Sequence, residues 1–198
     1  MTTAALDALL DKARALENRG DLTGAVAALQ AAPAAMKERG LWQYARGALA
    51  FRQGQLEAAI AHFEKAVAVE PEVSEYRSNL GAALLEKARA GDATAAARAL
   101  EVLKAALRWG PMLPEVHANY GLALLVAGRK EEALKACDDA LALDPTHQTA
   151  RYNRAAALSA LDRPDDALQT LDALLAAAPH HAQALDSKQR LLQRLGRA

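Results

Sequence analysis

The sequence predicts an all-α solenoid of antiparallel helix pairs, and three observations carry that expectation. A 34-residue pattern recurs along the chain, with repeats opening at Leu6, Gly40, Ser74, Pro114 and Gln148. The eighth place of every repeat is small (Ala13, Gly47, Gly81, Gly121, Ala155), and the twentieth is always alanine (Ala25, Ala59, Ala99, Ala133, Ala167). Proline closes four of the five repeats, at Pro71, Pro111, Pro145 and Pro179. A period of about 34 residues belongs to helix-turn-helix repeats. Composition agrees, since the chain is 52% hydrophobic but only 4% aromatic. Alanine in place of large β-branched residues favours helices in close contact over a packed sheet.

Each element follows from the register. In the first repeat, 6–39, Pro33 falls inside the second helix. A break near Ala32 is expected there, then a short helix from Pro33 to about Arg39 that Gly40 ends. Gly20, Gly54 and Gly128 supply left-handed residues that end the first helix of their pairs. The third repeat, 74–113, carries six extra residues around Ala88 to Thr94. There Gly91-Asp92 reads as a helix stop followed by a cap. Both helices of this pair should gain nearly a turn, so that the hairpin protrudes. The fourth repeat, 114–147, keeps the plain period. In the fifth, 148–181, Asp162-Arg163-Pro164-Asp165-Asp166 replaces the glycine turn, and proline with acids suits a first helical turn. A last helix over 182–196 bears Asp186, Lys188, Gln189, Arg190 and Gln193, the polar face of a terminal cap. The whole chain, 1–198, reads as a single domain.

Close packing explains the small residues. Helices that cross at the eighth and twentieth places leave no room for larger groups, and overpacking would cost about 1–3 kcal/mol per site. Large residues beside the crossing fill the remaining space, as Leu124, Cys137 and Leu141 do in the fourth repeat. One hairpin cannot cover its own apolar face, so neighbours must stack.

This pattern resembles the tetratricopeptide repeat (TPR) family over nearly the whole chain. The family's usual tryptophan at the fourth place is absent; Leu9, Gln43, Arg77, His117 and Arg151 stand there. The resemblance implies a right-handed α-solenoid of five hairpins and a capping helix. It also implies that the first helices line a concave groove with their places 2, 5, 6, 9, 12 and 13. Helical spacing agrees that these places form one stripe. On it stand Asn79, Asn119 and Asn153, which form a ladder of amides, each offering a donor and an acceptor to a peptide backbone. Tyr44, Phe51, Leu85, Leu122, Val126 and Tyr152 give the same face an apolar character. The alternative is that the amides bond only to neighbouring turns. Some TPR proteins clamp an acidic tail with Lys, Asn and Arg; here the fifth place lacks Lys, so a neutral, partly apolar segment fits better.

Other functions find little support. No Gly-rich phosphate loop, His-Glu-x-x-His or local nucleophilic set appears, so no enzyme and no cofactor are expected. Cys137 sits at a core place and reads as a buried thiol, and His180-His181 lacks further metal ligands. Trp42 and Trp109 are expected to pack at repeat junctions. Lys and Arg total 24, as do Asp and Glu, so no net field favours nucleic acid or an anionic membrane. The amino terminus has no leader-like pattern, and the longest apolar run, Tyr120 to Gly128, is about half a membrane span. A cytoplasmic protein that binds a protein or peptide partner is the expectation. A client-specific chaperone and a self-assembling scaffold, the latter through Leu122 and Val126, are the alternatives.

Overall fold

The computed structural model describes residues 3–197, so the outermost residues of the domain expected over 1–198 lie outside the described residues. Among the described residues all regular structure is helical, in twelve helices. None is long and apolar enough to cross a membrane. The chain divides into two compact units, one ending at Trp109 and the other starting at Gly110.

The N-terminal unit contains α1 (Thr3–Asn18), α2 (Leu22–Gln30), α3 (Ala34–Lys37), α4 (Gly40–Arg52), α5 (Leu56–Val69), α6 (Ser74–Arg89) and α7 (Ala93–Trp109). Here α1 packs on α2, α4 on α5 and α6 on α7. The C-terminal unit contains α8 (Pro114–Val126), α9 (Lys130–Leu143), α10 (Gln148–Ala160), α11 (Pro164–Ala177) and α12 (Ala182–Arg194). Its pairs are α8 with α9 and α10 with α11, and α12 packs on α11.

The small eighth residue has a definite cause. A Cβ on Gly47 would lie 2.7 Å from the Phe63 ring, and one on Gly81 would lie 2.4 Å from Leu103. On Gly121 it would lie 2.8 Å from the Cys137 sulfur and 3.3 Å from the Ala133 carbonyl oxygen. The residue at place 24 therefore lies flat against the first helix, and the alanine at place 20 is fully buried beside it. Burying a side chain such as Phe63 or Leu103 contributes about 1.5–3 kcal/mol, available only while the facing residue stays small.

Where the family carries tryptophan, this chain ties down the preceding turn. Gln43 donates to the Lys37 carbonyl (2.7 Å) and His117 Nε2 to that of Pro111 (2.8 Å). Arg77 and Arg151 do the same to Pro71 and Pro145. Each bond reaches six residues back to place 32, where the turn leaves a carbonyl without a helical partner. From the second repeat on, the fourth place is thus a turn-tying donor, whereas Leu9 in the first repeat packs against the core.

Most local expectations hold. Asp92 caps α7, accepting from the Thr94 and Ala95 N–H groups. Helices α6 and α7 have 16 and 17 residues, against 13 and 14 for α8 and α9. Asp162 takes a positive φ of 56° where other hairpins use glycine, a conformation that Asp tolerates better than most residues.

Two expectations need correction. Gly40 does not end α3; it is the first residue of α4, where a Cβ would meet the Glu70 carboxyl at 2.8 Å. Trp42 is buried and donates its indole N–H to the Leu29 carbonyl (3.0 Å), but Trp109 is 58% exposed and does not pack at a junction. Cys137 is buried as expected. Burial first, then the Asp138 charge, pushes its thiol up to about 12, which leaves it neutral and a poor nucleophile.

Candidate functional site

In the N-terminal unit the first helices of the repeats border a cavity of about 240 Å³. Leu10, Leu29, Leu41 and Leu49 give it an apolar lining, and Arg14, Glu17, Tyr44 and Glu75 give it polar groups. The hydroxyl of Tyr44 donates to Glu75 Oε1 at 2.7 Å. Its ring stacks on Tyr76 with centroids 5.1 Å apart. Burial first, then the hydrogen bond to Glu75, raises the Tyr44 phenol, so it stays a donor at neutral pH. Glu17 holds Arg52 in an ion pair. Phe51 is half-buried.

Two expected groove residues in this unit have other roles. Leu85 is 2% exposed and belongs to the core. Its counterpart Phe51 lies in the last turn of α4, but α6 runs on to Arg89 with a lengthened partner, so Leu85 falls within the pair instead of at its end. Asn79 donates to its own helix at the Glu75 carbonyl (2.9 Å) and, at 3.4 Å, to the Tyr44 hydroxyl.

In the C-terminal unit a cavity of about 410 Å³ lies between α10 and α12. One wall consists of small residues, Ala155, Ala156, Ser159 and Ala160. The other comes from α12, with Ser187, Arg190, Leu191 and Arg194. Arg190 is anchored to Asp186 by its Nε (3.0 Å) and Nη2 (2.6 Å). Arg194 makes no ion pair among the described residues. Tyr152 is half-buried; its hydroxyl lies 3.2 Å from Ser187 Oγ, and its ring stacks on His181, which caps α12 through Nδ1. Asn119 and Leu122 are half-buried, and Val126 is 44% exposed.

Asn153 departs from the expected ladder. It is 2% exposed and donates to the Ala118 carbonyl at 3.1 Å. Asn79 to Tyr44, Asn153 to Ala118 and Ser187 to Tyr152 all link the sixth place of one repeat to the fifth place of the repeat before. Where the fifth residue is a tyrosine, the partner is its hydroxyl. Where it is Ala118, the amide reaches the backbone and is buried. In these pairs the polar sixth residue stitches neighbouring repeats, and its partners lie on helices rather than on the turns that the alternative reading of the amides named. Sequence reasoning missed Ser187, Arg190 and Arg194 as cavity residues, because α12 read only as a polar cap.

Comparisons with known proteins agree with the repeat pattern. Tetratricopeptide-repeat family models match residues 41–73, 86–148 and 127–191. The fold is similar to the crystal structure of a thermophilic TPR protein of Thermus thermophilus, with a TM-score of 0.79 and 22% identity over 94% of this chain and 98% of that one. It is also similar to MamA of Desulfovibrio magneticus RS-1 (TM-score 0.70, 19% identity, 89% of this chain and 96% of that one). YrrB, described as a TPR protein with an unusual peptide-binding site, gives a TM-score of 0.65 at 24% identity over 91% of this chain and 90% of that one. Among curated proteins, FlbA of Caulobacter vibrioides is 31% identical over 140 residues, 71% of this chain. The chain spans only about a fifth of FlbA, 22% of its length.

Proposed function

From the premise that this chain is a tetratricopeptide-repeat protein, one of a class of protein-interaction scaffolds, we propose a non-catalytic adaptor that holds a segment of one partner protein against its first helices. The observation that carries the proposal is the α10–α12 cavity. Its wall of alanines and serines leaves room for a partner's side chains, and Arg194, which also lines it, makes no ion pair among the described residues. An apolar side chain entering such a space gains about 0.8 kcal/mol per buried CH₂. Leu122, Val126 and Tyr152 of the same unit extend the apolar contact, with Asn119 as a polar neighbour. The partner is protein rather than nucleic acid or membrane, because the 24 cations are balanced by 24 anions.

Capture from the source extract tests this reading. Ala156→Glu puts a charge and three heavy atoms of extra reach into the cavity wall, whereas Gln169→Glu alters an exposed residue of α11. The wild type and Gln169→Glu should capture the same protein, and Ala156→Glu at least tenfold less. Equal capture by all three, with helicity unchanged, would contradict the groove reading.

A second reading has its own observation. Val126 and Leu185 are 44% and 46% exposed large apolar residues of the C-terminal unit, and such residues favour contact with a second copy. Light scattering decides it, since a monomer at all concentrations excludes self-assembly.

A further inference from the structure

Arg46 and Arg154 hold the same seventh place, in the second and fifth repeats. Arg154 is engaged on both sides. Its Nε donates to Asp138 Oδ1 (2.6 Å) on α9 and its Nη1 to Thr170 Oγ1 (2.7 Å) on α11. Each partner lies sixteen residues away, one before and one after. The same step from Arg46 reaches Gln30 and His62, neither of them an acid.

The consequence is visible at the guanidinium. Nε and Nη1 of Arg46 are buried without an acceptor, and no other side-chain atoms among the described residues are in that state. Buried donors are almost always satisfied, and one left alone costs more than a hydrogen bond gains. The group stands 5.9 Å from the centroid of the Trp42 ring, an attractive but weak cation–π placement. His62 packs edge-on against that ring at 6.1 Å, and its Nδ1 lies 2.7 Å from Gln43 Oε1. The charges felt by His62 are those of Arg46 and Lys65, both cations. Beside this indole on α4 the fold thus sets a guanidinium from the same helix and an imidazole from α5, with Lys65 a further cation acting on that imidazole. Arg46 as a whole is only half-buried, so part of its side chain is open to solvent.

We propose that Arg46 is a docking point for the carboxylate of an Asp or Glu side chain on a partner protein, which takes the place Asp138 takes beside Arg154. The planar fork of arginine matches a carboxylate with two parallel hydrogen bonds. Trp42 gives the complex a flat apolar backing. The site is distinct from the groove cavities, which Arg46 does not line.

The test uses the full chain carrying Trp109→Phe, which leaves Trp42 as the one indole of the two in the sequence. Fluorescence of Trp42 is titrated with a blocked tetrapeptide containing two glutamates, with its glutamine counterpart and with inorganic phosphate. The glutamate peptide should give a saturable change, with the glutamine peptide and phosphate at least tenfold weaker. Arg46→Gln should weaken the glutamate peptide at least tenfold. Gln30→Asp, which supplies the missing acid within the chain, should do the same while raising the melting temperature. Equal response to glutamate and glutamine peptides, equal or tighter binding of phosphate, or undiminished binding by Arg46→Gln would each overturn the proposal. Undiminished binding by a folded Gln30→Asp protein would overturn the assigned place of the carboxylate and with it the proposal.

Discussion

The two units present the same face of the same repeat with opposite chemistry. In the N-terminal unit the cavity is floored by leucines and its acids are engaged, Glu75 by Tyr44 and Glu17 by Arg52. In the C-terminal unit the cavity is nearly twice as large, walled by alanine and serine, and bordered by Arg190 and Arg194. The helical pairs beneath are built alike, with a small residue under a larger one at Gly47–Phe63, Gly81–Leu103 and Gly121–Cys137. The difference teaches that the repeat fixes where first-helix residues stand, while residues outside its signature decide the chemistry they present.

If the scaffolds are equivalent, overpacking must hurt both. Gly81→Val and Gly121→Val should each lower unfolding stability by about 3 kcal/mol, the upper end for overpacking, because each forces a Cβ into an occupied side chain. Thermal and urea melts check this, and a neutral result at either site would separate the two scaffolds. Arg190→Glu with Arg194→Glu comes next. Partner binding should fall by about 2 kcal/mol, roughly thirtyfold, if the C-terminal cavity meets an acidic segment. Leu122→Asp should cost about 1.4 kcal/mol, a tenfold loss, and calorimetry with the captured partner measures both. Tyr44→Phe keeps the ring stack and loses the bond to Glu75, so its cost to stability should be about 1 kcal/mol or less. Smallest of all is the labelling of Cys137. With its thiol pushed up to about 12, iodoacetamide at pH 8 should leave the native chain unmodified and label it fully once unfolded. The sign is that of a group kept protonated by folding: stability holds below the thiol's ordinary pKa and declines as pH rises from there toward 12.

Much of the fold was legible because packing repeats. The glycines and alanines at places 8 and 20, the prolines at 32 and the Gly91-Asp92 stop all report short-range constraints that a single sequence displays. The insertion was legible as two longer helices. That it would bury Leu85 was not, since periodicity gives the direction of a side chain but not how far its neighbours extend. Asn153 was misjudged for a related reason. Its exposure depends on the size of residue 118, one repeat away, and an alanine there lets the amide reach the backbone. The donors at the fourth place had no role legible in the sequence, because their acceptors are turn carbonyls, which no side-chain pattern reveals. Arg190 of α12 was seen and assigned only to the polar face of a cap, since nothing in the helix's own sequence says that it walls a cavity.

The central claim is that the first-helix face of the repeats holds a partner protein. Site-specific photo-crosslinking tests it most directly, with a benzoylphenylalanine placed singly at Leu122, at Ala156 or at exposed Gln169 on α11. The account predicts one common partner adduct from positions 122 and 156 and none from 169. Adducts from 169 alone, with 122 and 156 silent in folded protein, would contradict it.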